Sequence, residues 1–389
     1  MASVETIGPL GLRRWVGRHR ATPTHPPSTQ VTWQLGHRPQ LDGIRAMAVI
    51  FVLIAHSELI PHTGLGGPVG VSVFFTLSGF LITTLLLEER QVYGSIKVGG
   101  FYKRRFLRLV PAMVTCVVLG LVTLLIHGYG FADWKLELGT LTYTANWVSM
   151  GGFPNLGPLG HMSPLGHTWS LAIEEQFYLI WPLVVTLTAS VSKRRMVAVM
   201  GTLCALILVW RFVLFNGGAS FSRIYFGTDT RADLLMYGAL LAYLLHKSTP
   251  RQNVARWVVW VGLAIIGTTR LMTGAAKDCL LPTAVGIGTA VVIYAIAQNS
   301  GAGFFGWRWV RWIGKRSYGL YLYQLPVIVF FMLTVTTAKW IQFVALIATF
   351  VLAALSYKYI EMPFQRMKDR DKRSGRGLGE SLGPAAGVT

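Results

Sequence analysis

Long apolar runs separated by short polar stretches dominate this chain. They lie at roughly 42–60, 67–87, 107–127, 168–188, 196–215, 232–246, 257–273, 280–297, 317–335 and 339–357. Most approach the about 20 residues that a helix needs to cross a hydrocarbon core. An eleventh stretch, 138–150 (LGTLTYTANWVSM), is short and half polar. The pattern predicts an all-α polytopic membrane protein with about ten transmembrane helices.

Positive charge decides whether 138–150 spans, because basic loops stay in the cytoplasm. With the basic N-terminal stretch inside, the connection near Pro61 to Gly67 has no Lys or Arg and fits outside. The next connection holds Lys97, Lys103, Arg104 and Arg105 and fits inside. If 138–150 does not span, SKRR at 192–195, then Lys247, Arg251 and Arg256, and then Arg308, Arg311, Lys315 and Arg316 all fall inside. If it spans, all of them flip. The expectation is ten spans, both termini cytoplasmic, and a Gly- and Pro-rich outer loop at 128–167 that folds back as a lid. No internal repeat is visible, and no symmetric pair of broken helices of the kind found in many transporters.

Composition agrees. Of 389 residues, 52% are hydrophobic and 13% charged, against about 25% charged in soluble domains. The net charge of +20 is read as topological, and no aromatic-interleaved basic groove suggests a nucleic-acid partner. Cys116, Cys204 and Cys279 are widely spaced and look like small buried hydrophobes. Residues 6–40 contain no acidic residue, and no apolar signal-peptide core follows Arg13-Arg14. Residues 1–40 are expected to be a basic, disordered cytoplasmic tail, 41–365 the membrane domain, and 366–389 a second basic cytoplasmic tail.

Polar residues inside apolar runs are costly and usually have a job. Arg45 and His56 stand eleven residues apart in the first run. Eleven steps of 100° put both on one helix face, about 16 Å apart along the axis. A cation at the cytoplasmic end and an imidazole in the outer half suit a long ligand with an anionic head and a reactive tip, such as an acyl-CoA. The plainer reading is that Arg45 snorkels and His56 bonds a carbonyl. In HTWSLAIEEQFYLIWP (167–182), Glu174 and Glu175 head an otherwise apolar run. Counted from the outer face, Glu174 reaches a depth near that of His56, so a His–Glu pair is expected, the carboxylate fixing the imidazole tautomer. Zinc is the competing use of these groups, but H-E-x-x-H and nearby cysteines are missing.

In FYKRRFLRLVPA (101–112), Arg105 and Arg108 share one side of a helix. Guanidinium forks suit phosphate; a positive-inside anchor is the alternative. FFTLSGFLIT (74–83) places Ser78-Gly79 inside the second run, where Gly permits close packing; without a G-x-S-x-G elbow Ser78 is not read as a nucleophile. In DTRADLLMYGALLA (229–242), Arg231 and Asp233 stand at an outer helix start. Asp there normally caps the helix; the competing role, shared with His167 and Trp169, is contact with an acceptor. SYGLYLYQLP (317–326) sets three tyrosines and Gln324 in apolar surroundings, and KYIEMPFQR (358–366) places Glu361 at the inner end of the last run.

Arg45-x10-His56, VFFTLSGFLI, FYKRRFLRLVPA, HTWSLAIEEQFYLIWP, TRADLLMYGALLA, SYGLYLYQLPV and YKYIEMPF follow one another in an order that resembles the membrane acyltransferase-3 family, over about residues 40–365. The resemblance implies an integral-membrane O-acyltransferase of the cell membrane with ten core spans. It implies an acyl-CoA donor, acetyl-CoA or propionyl-CoA, as co-substrate, and no bound cofactor or metal. Arg45 and His56 become the lead pair. His56 is the base, oriented by Glu174 or Glu175, and Arg45, Arg105 and Arg108 hold the acyl-CoA phosphates. The family often carries a histidine where this chain has Gln324, so no proton role is assigned there. Some relatives add an extracytoplasmic esterase-like domain. This chain ends soon after its last run, so transfer is expected from the membrane domain alone or with a separate partner. The acceptor is a hydroxylated small molecule or a glycan. Compact size and 25 arginines against 11 lysines, a hint of a GC-rich genome, lean the reading to a macrolide. A cell-envelope polysaccharide is the alternative, and a proton-coupled transporter the reading from a different class.

Overall fold

The computed structural model of the protein describes residues 33–36, 38–57, 66–153, 160, 162–250, 254–298, 303–335 and 338–367. Among them there are helices and turns and no strand. In chain order the helices are α1 (Pro39–His56), α2 (Gly66–Tyr93), α3 (Val98–Ile126), α4 (Trp134–Leu141), α5 (Ala145–Met150), α6 (Trp169–Leu187), α7 (Lys193–Asn216), α8 (Phe221–Phe226), α9 (Ala232–Leu245), α10 (Trp257–Thr268), α11 (Leu281–Ala297), α12 (Arg308–Lys315), α13 (Ser317–Thr334) and α14 (Lys339–Ser356).

Each of the ten apolar runs contains a helix over its described residues. Seven segments are long and apolar enough to cross a membrane: Pro39–His56, Gly66–Tyr93, Val98–Ile126, Lys193–Asn216, Ala276–Ala297, Ser317–Thr334 and Trp340–Met367. Ala232–Leu245 and Trp257–Leu271 are apolar but shorter, and α6 carries the two glutamates. The stretch 138–150 makes no span. It breaks into α4 and α5 around Tyr143, whose φ of 57° lies in the left-handed region that ends a helix.

A belt of large apolar side chains faces outward, including Leu179, Leu183 and Leu187 on α6, Leu206 and Val209 on α7, and Phe343 and Ile347 on α14. In water such a surface would aggregate; in lipid it costs nothing. Inside, helices meet through small residues. A Cβ added to Gly79 would stand 1.9 Å from the Leu235 carbonyl oxygen, and one on Gly238 would stand 1.9 Å from that of Thr76. Glycine is therefore what lets α2 and α9 cross with backbones in contact, the contact that binds helices where lipid and core are equally apolar.

Two expectations change. Residues 33–40 do not belong to a free tail. Trp33 is buried, its indole N–H donates to the Ala297 carbonyl at 3.1 Å, and the Leu35 amide donates to Glu88 at 2.7 Å. An indole that finds both apolar cover and an acceptor has reason to dock. The rest of the N-terminal tail, residues 1–32 and 37, and residues 368–389 of the C-terminal tail lie outside the described residues. The outer loop, as far as it is described, is built into the core. Leu136 and Ala145 are fully buried, and Asn146 Nδ2 donates to the Phe226 carbonyl at 3.2 Å and to Thr228 at 3.0 Å. Gln176 Nε2 donates to the Tyr143 carbonyl at 2.8 Å, locking α6 to the same loop.

Candidate active site

The Arg45–His56 face of α1 opens into two cavities, an inner one toward its N-terminal end and an outer one toward its C-terminal end. The inner one, about 190 Å³, is lined by Arg45, by Ser78 of α2, by Arg105 and Arg108 of α3, and by Glu174, Glu175 and Tyr178 of α6. Arg105 Nη2 donates to Glu175 at 2.6 Å, and the guanidinium lies 3.6 Å from the Tyr178 ring centroid. Glu174 accepts from both Ser78 and Tyr178. Among the described residues Arg45 pairs only with its helix neighbour Asp42, at 3.4 Å, and Arg108 has no ion pair. Three arginines face two glutamates, and among the described residues only Arg105 of the three is ion-paired to a glutamate. Such a surplus of forked donors in a confined space receives an anion.

The outer cavity, about 340 Å³, contains His56 at the last turn of α1, the start of α2, Phe221 and Tyr225 of α8, and Arg231, Lys277 and Asp278. His56 Nδ1 lies 3.3 Å from Gln324 Oε1, and Gln324 Nε2 donates to the Tyr321 carbonyl at 3.1 Å. The second bond orients the first. Turning the amide over would set two carbonyl oxygens against each other, so Oε1 faces the imidazole and Nδ1 is the donor. The Nε2 lone pair is left free to take a proton.

The structure therefore separates residues that the sequence reading had joined. Glu174 and Glu175 lie with the arginines of the inner cavity, and the partner of His56 is Gln324. The loop of α4 and α5 packs against α6, with Gln176 bonded to the Tyr143 carbonyl, so position along the two helices does not bring Glu174 to His56. Of the four acceptor candidates only Arg231 lines the outer cavity. Asp233 is ion-paired to Arg211 at 2.5 Å with both side chains fully buried. His167 is buried with its ring 5.1 Å from that of Tyr321. Trp169 is wedged among Phe75, Tyr225 and Phe226 at centroid distances of 6.3, 4.9 and 5.1 Å. Among the described residues no group of three or more His, Cys, Asp or Glu side chains could hold a metal ion.

Five participants are not assigned from sequence. Tyr178 was legible as the residue one helical turn after Glu174, and Arg211 as a lone cation in an apolar run. Gln324 was noticed but given no role. Nothing marked Phe221 and Tyr225 as cavity walls.

Beyond the spans, Asp133 in the α3–α4 turn is buried and accepts from Ser163. Burial pushes its carboxyl up to about 6.

Known proteins resemble the chain at sequence level. The acyltransferase domain family matches residues 38–358. The peptidoglycan O-acetyltransferase OatA of Listeria monocytogenes is 33% identical over 354 residues, which cover 84% of this chain and 56% of that protein. A putative O-acetyltransferase of Staphylococcus aureus is 32% identical over 353 residues, covering 86% of this chain and 58% of its own length. The O-acetyltransferase OatA of Staphylococcus aureus is 32% identical over 349 residues, covering 84% and 57%. The chain thus spans little more than half the length of these relatives. No solved structure matches it.

Proposed function

The chain belongs to this acyltransferase family, and we propose that it is an integral-membrane O-acyltransferase that moves an acetyl group from acetyl-CoA to a hydroxyl of a cell-envelope glycan. The observation that carries the reading is the single face of α1 with Arg45 in a cationic inner cavity and His56 in an outer one. A donor whose phosphates rest on Arg45, Arg105 and Arg108 would extend its pantetheine arm toward His56. The relatives' names favour a glycan over the macrolide suggested by size and arginine content, since the Listeria monocytogenes protein is named for peptidoglycan.

In this scheme Gln324 holds His56 with Nδ1–H inward. Nε2 takes the proton of the acceptor hydroxyl as its oxygen attacks the thioester carbonyl. The tetrahedral intermediate collapses, the C–S bond breaks, and the CoA thiolate leaves as the ester forms. Glu175 fixes Arg105, and Glu174 fixes Ser78 and Tyr178, so the carboxylates shape the donor cavity. The chain would cross the cell membrane ten times, with α6, α9 and α10 joining the seven long apolar segments and both termini in the cytoplasm. The positions of the basic loops support this.

The test is acetyl transfer from radiolabelled acetyl-CoA to cell-wall oligosaccharides in isolated membranes. Wild-type protein should label the glycan and His56→Ala protein should not. Undiminished transfer by the variant would overturn the mechanism, and label on an added macrolide but not on glycan would overturn the acceptor.

A further inference from the structure

We propose that the outer cavity holds a subsite for a carboxylate carried by the acceptor sugar, with Arg231 as its cation. The inference rests on the acceptor being a glycan and goes on to name its charge.

Arg231 flanks the start of α9, is 4% exposed, and lines the cavity that contains His56. Its Nε donates to the Tyr225 carbonyl at 3.0 Å, and its guanidinium lies 4.5 Å from the Tyr225 ring centroid. Among the described residues no carboxylate forms an ion pair with it, and its two terminal nitrogens make no hydrogen bond. The nearest carboxylate along the helix, Asp233, is occupied by Arg211. At the rim the π-helical turn Ala276–Leu280 adds Lys277 and Asp278, one charge of each sign. The cavity lining therefore carries one positive charge in excess, and Arg231 is almost wholly removed from water with Asp278 acting on it only through its charge, not through an ion pair. A buried guanidinium without a hydrogen-bonded counter-ion is costly, and its free terminal donors form the fork that accepts a carboxylate through two parallel bonds.

The walls suit a sugar. Phe221 stacks on Tyr225 with centroids 5.0 Å apart and planes 23° from parallel, an apolar surface for the C–H face of a pyranose. A ring lying there with its carboxylate on Arg231 would hold its hydroxyls in the same cavity as His56. A neutral sugar would fill the same space and leave the charge unanswered.

Binding alone tests this, so the result does not depend on acyl transfer. The full chain, in nanodiscs of phosphatidylcholine without acyl-CoA, would be melted with a disaccharide ending in glucuronic acid and with its carboxyl-reduced counterpart. The acid should raise the melting temperature and the reduced sugar should not. Arg231→Met should abolish the shift, and Arg231→Lys should retain part of it. Lys277→Gln, a change at an exposed position, should weaken the shift and serves if Arg231→Met does not fold. Equal shifts with both sugars, no shift with the acid, or an acid-specific shift that survives Arg231→Met would each overturn the proposal. So would stabilisation by added phosphatidylglycerol that displaces the sugar, which would assign the cation to a lipid headgroup. If the acid binds through Arg231 while no glycan is acetylated in the membrane assay, the proposed reaction fails and the subsite stands.

Discussion

The two cavities are built on opposite principles. In the inner one cations are tied to carboxylates: Arg105 to Glu175 at 2.6 Å, and Arg45 more loosely to Asp42 at 3.4 Å. In the outer one His56 is held by a neutral amide, and Arg231 has no ion pair among the described residues. The difference follows from what each must do. In the proposed reaction the donor phosphates would meet one guanidinium held by a carboxylate, Arg105, and two that no glutamate ties down, Arg45 and Arg108. A base needs to be oriented, and Gln324 orients the ring without adding charge. A carboxylate beside His56 would have done both, and the fold does not place one there.

That contrast can be broken from either side. The largest effect should come from His56→Ala, with transfer falling by about 10²–10⁴-fold while acyl-CoA binding to membranes is unchanged. If binding falls instead, the two cavities do not divide the work. Next is Arg105→Ala, which leaves the half-buried Glu175 without its partner and should cost about 1.5–3 kcal/mol of stability, read as a lower melting temperature in detergent. Adding Glu175→Gln should recover most of it; failure to recover would mean that the pair is not the principal support of the inner wall.

Smaller still is Gln324→Leu. It removes one oriented hydrogen bond and should lower kcat by about 5–10-fold, the equivalent of about 1 kcal/mol, with KM for acyl-CoA unaltered. Gln324→His should recover part of the loss, and a change in KM alone would mean that Gln324 does not act through His56.

The smallest effect on the reaction should lie outside both cavities, at Asp133. Its carboxyl is raised from 3.8 to about 6 by burial, so the folded state favours the protonated form. That stabilisation is complete below about 3.8, the unfolded value, and is lost as pH rises through about 6. Wild-type protein should therefore melt a few degrees lower at pH 7 than at pH 4.5 relative to Asp133→Asn. Parallel melting curves for the two proteins would remove Asp133 as the cause.

The helices were legible because each run of apolar residues in lipid has one way to satisfy its backbone. That 138–150 makes no span was legible from the positions of the basic loops, whereas the break at Tyr143 was not. The facing of Arg45 and His56 also follows from helix geometry alone. Partners across helices were not legible. Ser78 joins Glu174 across 96 positions and His56 joins Gln324 across 268, and no periodicity relates residues so far apart.

The sequence by itself determined the elements, their apolar character and the one face that carries a cation and a base, because these depend on residues within a few turns of one another. The tertiary structure decided the rest. Packing α4 and α5 against α6 accompanies an arrangement in which Glu174 and Glu175 line the inner cavity with the arginines. Docking Trp33 onto Ala297 drew the end of the supposed tail into the fold. Crossing α2 and α9 at Gly79 and Gly238 and burying Arg211 against Asp233 left Arg231 as the outer cavity's surplus charge. Each of these outcomes is a competition among buried polar groups for few partners, and packing alone settles which pairs form.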